Sequence, residues 1–203
     1  MKTINVTIKF IEGVLGTANA DPDIYSRFIA SNAPDAKTLA EEIEALGPEE
    51  VEKKAMTIFP RDEDGDPIFW DYQIKGFFKD SCAALRKVKG SECSKIKAFK
   101  KEIDGLVFPQ PRKIKINIPE GSEIGFCQRP LRAQTMQGER VALASSEEIP
   151  AGATCSFDIV LLKDDLEPMV MECLEYGKLR GMGQWRNSGK GRFVVAIESE
   201  GDA

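Results

Sequence analysis

The sequence contains no histidine. That absence excludes a Ser–His or Cys–His nucleophile, removes the usual general base and takes away the commonest metal ligand. The five cysteines (Cys82, Cys93, Cys127, Cys155 and Cys173) are odd in number and widely spaced, with no C-x-x-C pair. Such spacing argues against a disulfide framework or a zinc site. Most of these cysteines fall in apolar patterns, where a reduced thiol packs as a small hydrophobe. No apolar run approaches the roughly 18 residues needed to span a bilayer, and a strand pattern starts at once with Lys2, Thr3 and Ile4. We therefore expect neither a signal peptide nor a membrane anchor, and a cytoplasmic protein. Internal repeats and long low-complexity tracts are also missing.

What is present is an ordinary globular composition, 42% hydrophobic and 30% charged over 203 residues. This length suits one domain, 1–203, with two insertions: an acidic helical and loop segment over 12–71 and a hairpin over 123–150. The net charge of -5 argues against nucleic acid as a partner, since phosphates need positive potential. Its distribution argues the other way. Acids gather between Asp35 and Glu52 and at Glu198, Glu200 and Asp202, whereas Lys178, Arg180, Arg186, Lys190 and Arg192 follow one another with no acid between them.

Strict alternation from Lys2 to Phe10 predicts a half-buried strand. Residues 12–36 read as a long loop with a short helix at 24–29, and 36–46 as an amphipathic acidic helix stopped by Gly47-Pro48. A turn at Asp64-Gly65 is expected to join short strands at Met56–Phe59 and Ile68–Trp70. Helical spacing marks 73–88, 96–103 and 166–174; alternation marks strands at 113–118, 155–161 and 193–197. With the insertions removed, the order is β-α-β-β-α-β, an α+β ferredoxin-like (RRM-like) core with helices on one face of an antiparallel sheet.

Between the last helix and the last strand lies G-x-G-x5-G-x-G, with glycines at Gly181, Gly183, Gly189 and Gly191. Glycine permits positive φ and close backbone approach, and amides in such a loop can face phosphate oxygens. Arg186, Lys190 and Arg192 add charge, Asn187 and Ser188 add polar groups, and Trp185 offers a stacking face. A Walker loop is excluded: five residues separate Gly183 from Gly189, Gly191 follows Lys190, and a strand comes next. The dinucleotide fingerprint fails because Arg186 occupies its third glycine position. A helix-capping glycine followed by a plain connection is the competing reading. The run Asp62–Asp66 reads as a turn, not a calcium loop, since its glycine stands fourth and no Glu closes it.

Helix, loop and final strand together resemble the C-terminal half of RAMP proteins, the ferredoxin-like units of CRISPR effector complexes and guide-processing enzymes. Two segments extend the resemblance. Tyr72 to Cys82, containing Lys75-Gly76, looks like the family's Leu-Lys-Gly segment, and Arg129 to Arg140 with Ile149-Pro-Ala-Gly152 looks like the thumb hairpin of the backbone subunits. Residues 72–90 and 123–198 carry the match. It implies a non-catalytic subunit that coats single-stranded guide RNA, alone or paired with a target strand, as a homo-oligomer or filament. RNA contacts are then expected from Lys75, Lys79, Arg129, Arg132, Arg140, Lys178 and Arg180, and from the loop itself. No metal and no cofactor are expected.

Two alternatives stand beside this reading. The resemblance also implies a ribonuclease using an Asp in the loop after the first strand, with Asp21 and Asp23 as its candidates, acting either with Mg²⁺ or without a metal by activating a 2′-hydroxyl. Asp21-Pro22-Asp23 equally fits a helix N-cap, so no catalytic residue is assigned. The other alternative is a viral mimic that keeps the fold and acts through protein contacts.

Overall fold

The computed structural model describes residues 1–20, 56–135 and 138–196. The expected helices at 24–29 and 36–46, with Asp21 and Asp23, lie outside the described residues. In chain order the strands are β1 (Lys2–Phe10), β2 (Val14–Leu15), β3 (Ala18–Asn19), β4 (Thr57–Ile58), β5 (Ile68–Trp70), β6 (Val107–Gln110), β7 (Lys113–Lys115), β8 (Gly125–Thr135), β9 (Gly138–Ile149), β10 (Thr154–Leu161) and β11 (Phe193–Ala196). Three helices occur among the described residues: α1 (Asp71–Leu85), α2 (Phe99–Leu106) and α3 (Glu167–Arg180). The protein is a mixed α+β chain, as its patterning predicts.

Two compact units are formed, Met1–Val14 with Pro60–Glu123 and Ile149–Ala203, and Leu15–Phe59 with Ile124–Glu148. The first is built on a four-stranded sheet in the order β11-β1-β10-β6. All its pairings are antiparallel; Val6 lies opposite Phe157, Phe10 opposite Phe193 and Leu161 opposite Val107. Alternation sorts the side chains by face. Val6, Ile8, Phe10, Cys155, Phe157, Ile159, Leu161 and Phe193 are buried, and α1 and α3 pack on this side. Phe10, Phe69, Phe77 and Phe193 form its centre, with Phe77 and Phe193 centroids 5.2 Å apart. A Cβ on Gly177 would lie 2.2 Å from the Phe193 ring, so the bare backbone there is what lets α3 approach β11. Three buried thiols, Cys82, Cys93 and Cys173, complete the packing under α1 and α3, the last two with sulfurs 3.6 Å apart.

The opposite face of this sheet is polar. Asn5 donates to Asp158 at 2.5 Å, and the Thr7 and Ser156 hydroxyls bond at 2.9 Å. Its central strands, β1 and β10, carry no aromatic residue there, so an RRM-style stacking platform in the middle of the sheet is missing among the described residues.

Two expectations are corrected. The strands at Thr57–Ile58 and Ile68–Trp70 do not pair with each other, although the Asp62–Asp66 turn forms and Arg61 bridges Pro67. β4 pairs with β3 and β9, whereas β5 pairs with β7. The alternating segment at Ile114 and Ile116 therefore pairs mainly with β5 and meets the main sheet where Asn117 bridges Thr154 of β10. Most of the edge beside β10 is supplied by β6, four residues that include Pro109. Proline lacks a ladder donor and is tolerated because β6 is an edge strand with β10 as its sheet neighbour.

The second unit contains β8 and β9, an antiparallel hairpin whose register runs from Gly125 opposite Glu148 to Thr135 opposite Gly138. Thr57 and Ser146 join β4 to β9 through their hydroxyls, 2.7 Å apart. A Cβ on Gly16 would fall 2.4 Å from the Ile58 carbonyl carbon, so only glycine fits beside β4.

Candidate nucleic-acid interface

Helix α3 begins with Glu167-Pro168 and stops at Gly181, which adopts φ 74° and donates its amide to Gly177 O at 3.0 Å. The chain then makes a closed loop. Its ends are tied by the Met182 amide donating to Gly191 O at 2.9 Å, and the Gly191 amide donates to Gly13 O at 2.8 Å. Met182 is buried at the base. Gly191 has φ 71°, and a Cβ there would stand 1.8 Å from Met182 O; one on Gly181 would stand 2.6 Å from the Gly191 carbonyl carbon. The outer glycines are thus required by the loop's own crossing. Gly183 and Gly189 also hold positive φ.

The tip is a 3-10 turn, Arg186–Ser188, entered through Trp185 in the left-handed region at φ 54° and ψ 34°. This conformation is strained for a bulky non-glycine residue, at a cost on the order of 1–3 kcal/mol. The Trp185 side chain is 41% exposed. Together with Arg180, Gly183, Gln184, Arg186 and Asn187 it lines an open recess of about 310 Å³.

The cations of this recess gather around one acid that sequence reading missed. Arg180 Nε donates to Asp80 Oδ2 at 2.9 Å, Arg186 Nη1 donates to the same oxygen at 2.7 Å, and Arg180 Nη1 reaches Asn187 Oδ1 at 2.8 Å. Burial by itself would raise the Asp80 carboxyl, but the Arg180 hydrogen bond and the Arg186 charge outweigh it and hold it below the usual carboxylate range. Arg180 is correspondingly pushed up, chiefly by its bond to Asp80. Two arginines on one carboxylate leave a net positive charge, held by a fork geometry that suits phosphate oxygens. No sequence signal joins Asp80 to arginines about a hundred positions away.

The remaining expected contacts are placed less favourably. Arg192 has its Nε buried without a hydrogen-bond partner, and its backbone oxygen accepts from Ile11 N at 2.9 Å. Lys190 is half-buried. Ser188 is exposed and donates its amide to Trp185 O at 3.0 Å; the Gly189 amide donates to Arg186 O at 3.0 Å. Lys178 pairs with Glu175 at 2.8 Å and Lys79 with Asp104. Lys75 Nζ donates to Asp104 O at 3.0 Å and sits 4.3 Å over the Phe108 ring. Burial is the main reason its ammonium is pushed down. In the hairpin, Arg129 is buried and donates to Ser146 Oγ at 3.1 Å, so it braces the two strands. Arg132 and Arg140 lie on β8 and β9, with side chains outside the described residues.

No group of Cys, Asp or Glu side chains among the described residues is placed to hold a metal ion. No helix among them is long and apolar enough to cross a membrane.

No protein-family model matches the sequence, and no curated protein matches it. Solved structures do. A chain of the type III-B Cmr-beta complex bound to cognate target RNA aligns with a TM-score of 0.50 and 13% identity, covering 96% of this chain and 58% of that one. A chain of a type IV-B CRISPR complex aligns with a TM-score of 0.48 and 11% identity over 100% of this chain and 92% of that one. Cmr6 from Pyrococcus furiosus aligns with a TM-score of 0.44 and 10% identity over 97% and 98%. This protein therefore shares the fold of the Cmr-beta chain while spanning 58% of its length. At 13% identity this likeness is one of fold, without sequence-level support.

Proposed function

We propose that this protein is a non-catalytic RNA-binding subunit of a CRISPR-like ribonucleoprotein, gripping the backbone of a single-stranded guide RNA as a repeated subunit. The observation that carries this reading is the closed loop from Gly181 to Gly191, which together with Arg180 at the end of α3 presents Arg186 and an exposed Trp185 around one recess. Charge for phosphates and a ring for bases is the combination that single-stranded RNA requires. The strand order β11-β1-β10-β6, with both long helices on its apolar face, supports the ferredoxin-like assignment. A structural neighbour belongs to the type III-B Cmr-beta complex bound to cognate target RNA, which supports the same class of partner.

The hairpin is the second element of the proposal. Its thumb role rests on Arg132 and Arg140, because Arg129 braces β8 against β9. Assembly along the RNA as a homo-oligomer is part of the same reading. The direct test is to purify the protein from its native cells, measure its mass and its 260/280 nm absorbance ratio, and sequence any nucleic acid that travels with it. A population of short RNAs of uniform length is the expected result. A nucleic-acid-free monomer that also ignores added single strands at low salt would contradict the proposal.

A further inference from the structure

At the other end of α1 from Asp80 lies a second cluster that the loop reading leaves unused. Trp70 and Tyr72 stack with centroids 6.3 Å apart and planes 11° from parallel, and Tyr72 is 54% exposed. The Arg112 guanidinium stands 5.6 Å over the Trp70 ring, and its Nη1 lies 3.4 Å from Asp71. Trp70 Nε1 is buried with no hydrogen-bond partner. Beside these groups opens a recess of about 470 Å³, lined by Asp71, Phe108, Gln110, Pro111, Arg112 and Asp158.

We infer that this platform and recess take a nucleobase of single-stranded RNA, a second contact that rests on the RNA-binding reading proposed above. The chemistry divides the ligand. Parallel aromatic rings and the Phe108–Pro111 wall suit a flat, apolar face. Asp71, Asp158 and Gln110 supply acceptors for exocyclic amino groups. The same carboxylates repel phosphate, so the backbone stays outside, where the Arg112 side chain is 71% exposed. Asp71 and Asp80 are nine residues apart on α1, roughly 14 Å along its axis at about 1.5 Å per residue and about half a turn apart around it at about 3.6 residues per turn. A strand that meets both the backbone grip at the loop and the base platform at the helix start therefore crosses α1 obliquely.

The test uses the full chain and fluorescence anisotropy with two probes, a labelled oligoadenosine and an abasic ribose-phosphate chain of equal length. Tyr72→Ala is expected to weaken oligoadenosine binding about tenfold, with unchanged salt dependence and unchanged binding of the abasic chain. Tyr72→Phe should bind as wild type does, and Tyr72→Leu, which keeps bulk without a π-face, should behave as Tyr72→Ala. Melting temperatures within a few degrees of wild type certify the fold. If Tyr72→Ala binds oligoadenosine normally while Arg186→Gln does not, the platform is wrong and the loop reading stands. Equal loss on both probes would also overturn it, because a base contact cannot affect an abasic chain. Failure of wild type to bind either probe would remove the platform together with the reading beneath it.

Discussion

The Gly181–Gly191 loop and the β8–β9 hairpin both carry arginines, yet they hold them by different means. At the loop, Arg186 of its tip and Arg180 at the end of α3 converge on Asp80, a carboxylate supplied by α1. In the hairpin, Arg129 lies opposite Ala144 and bonds the Ser146 hydroxyl diagonally across the ladder, and the local register does the positioning. The loop is thus a tertiary construction that stands or falls with backbone crossings and one shared acid. The hairpin is a local construction in which strand pairing does the placing. A cation placed by tertiary contacts has a defined geometry, which is what gripping a backbone requires.

The largest expected effect tests the crossing. Gly191→Ala puts a Cβ against Met182 O at a positive φ and should destabilise the protein by at least about 3 kcal/mol in urea unfolding. Gly125→Ala at the start of β8, where the nearest atom lies 4.0 Å away, should change stability by less than about 0.5 kcal/mol. Comparable losses at both sites would erase the contrast between loop and hairpin.

A smaller effect is expected at the shared acid. Asp80→Asn should cost about 1 kcal/mol at neutral pH, a modest value because the three side chains are about one-third exposed and screened. The sign with pH follows from the depressed Asp80 carboxyl. Its contribution is complete above the unfolded carboxylate's range and is lost as pH falls through the lower folded value. Thermal melts of wild type and Asp80→Asn should therefore differ near neutrality and converge in strong acid.

The smallest effect on stability separates fold from function. Trp185→Gly relieves the left-handed strain and should leave the protein equally stable, or about 1 kcal/mol more stable, by thermal unfolding. The same substitution removes the exposed ring and should weaken single-stranded RNA binding measurably. A variant that loses both stability and binding would show that Trp185 is a packing residue.

Much of the first unit was legible in the sequence, and particular residues show why. The Ile4–Phe10 alternation marked β1 because period-two patterning reports a buried face. Glycine spacing located the loop because positive φ and close crossings leave few other choices. Alternation at Ile114 and Ile116 also reported a buried face correctly, but it cannot name a partner strand, and β7 belongs to β5. β6 was missed because Pro109 interrupts a very short strand whose edge position becomes visible only in the assembled sheet. The candidate site divides in the same way. The loop's basic character was readable, whereas Asp80, the Trp70–Tyr72 stack and the bracing role of Arg129 depend on residues brought together by folding.

The central claim is that the loop grips an RNA backbone through placed charge, and salt dependence tests it most directly. Anisotropy titrations of a labelled single-stranded RNA across a salt series should show the logarithm of affinity falling linearly with the logarithm of salt for wild type. Arg186→Gln and Lys190→Gln should each weaken binding and reduce the magnitude of that slope by about 0.7, the value for one lost phosphate contact on a single strand. Binding that is absent at low salt, or whose slope is the same in wild type and both variants, would contradict the account.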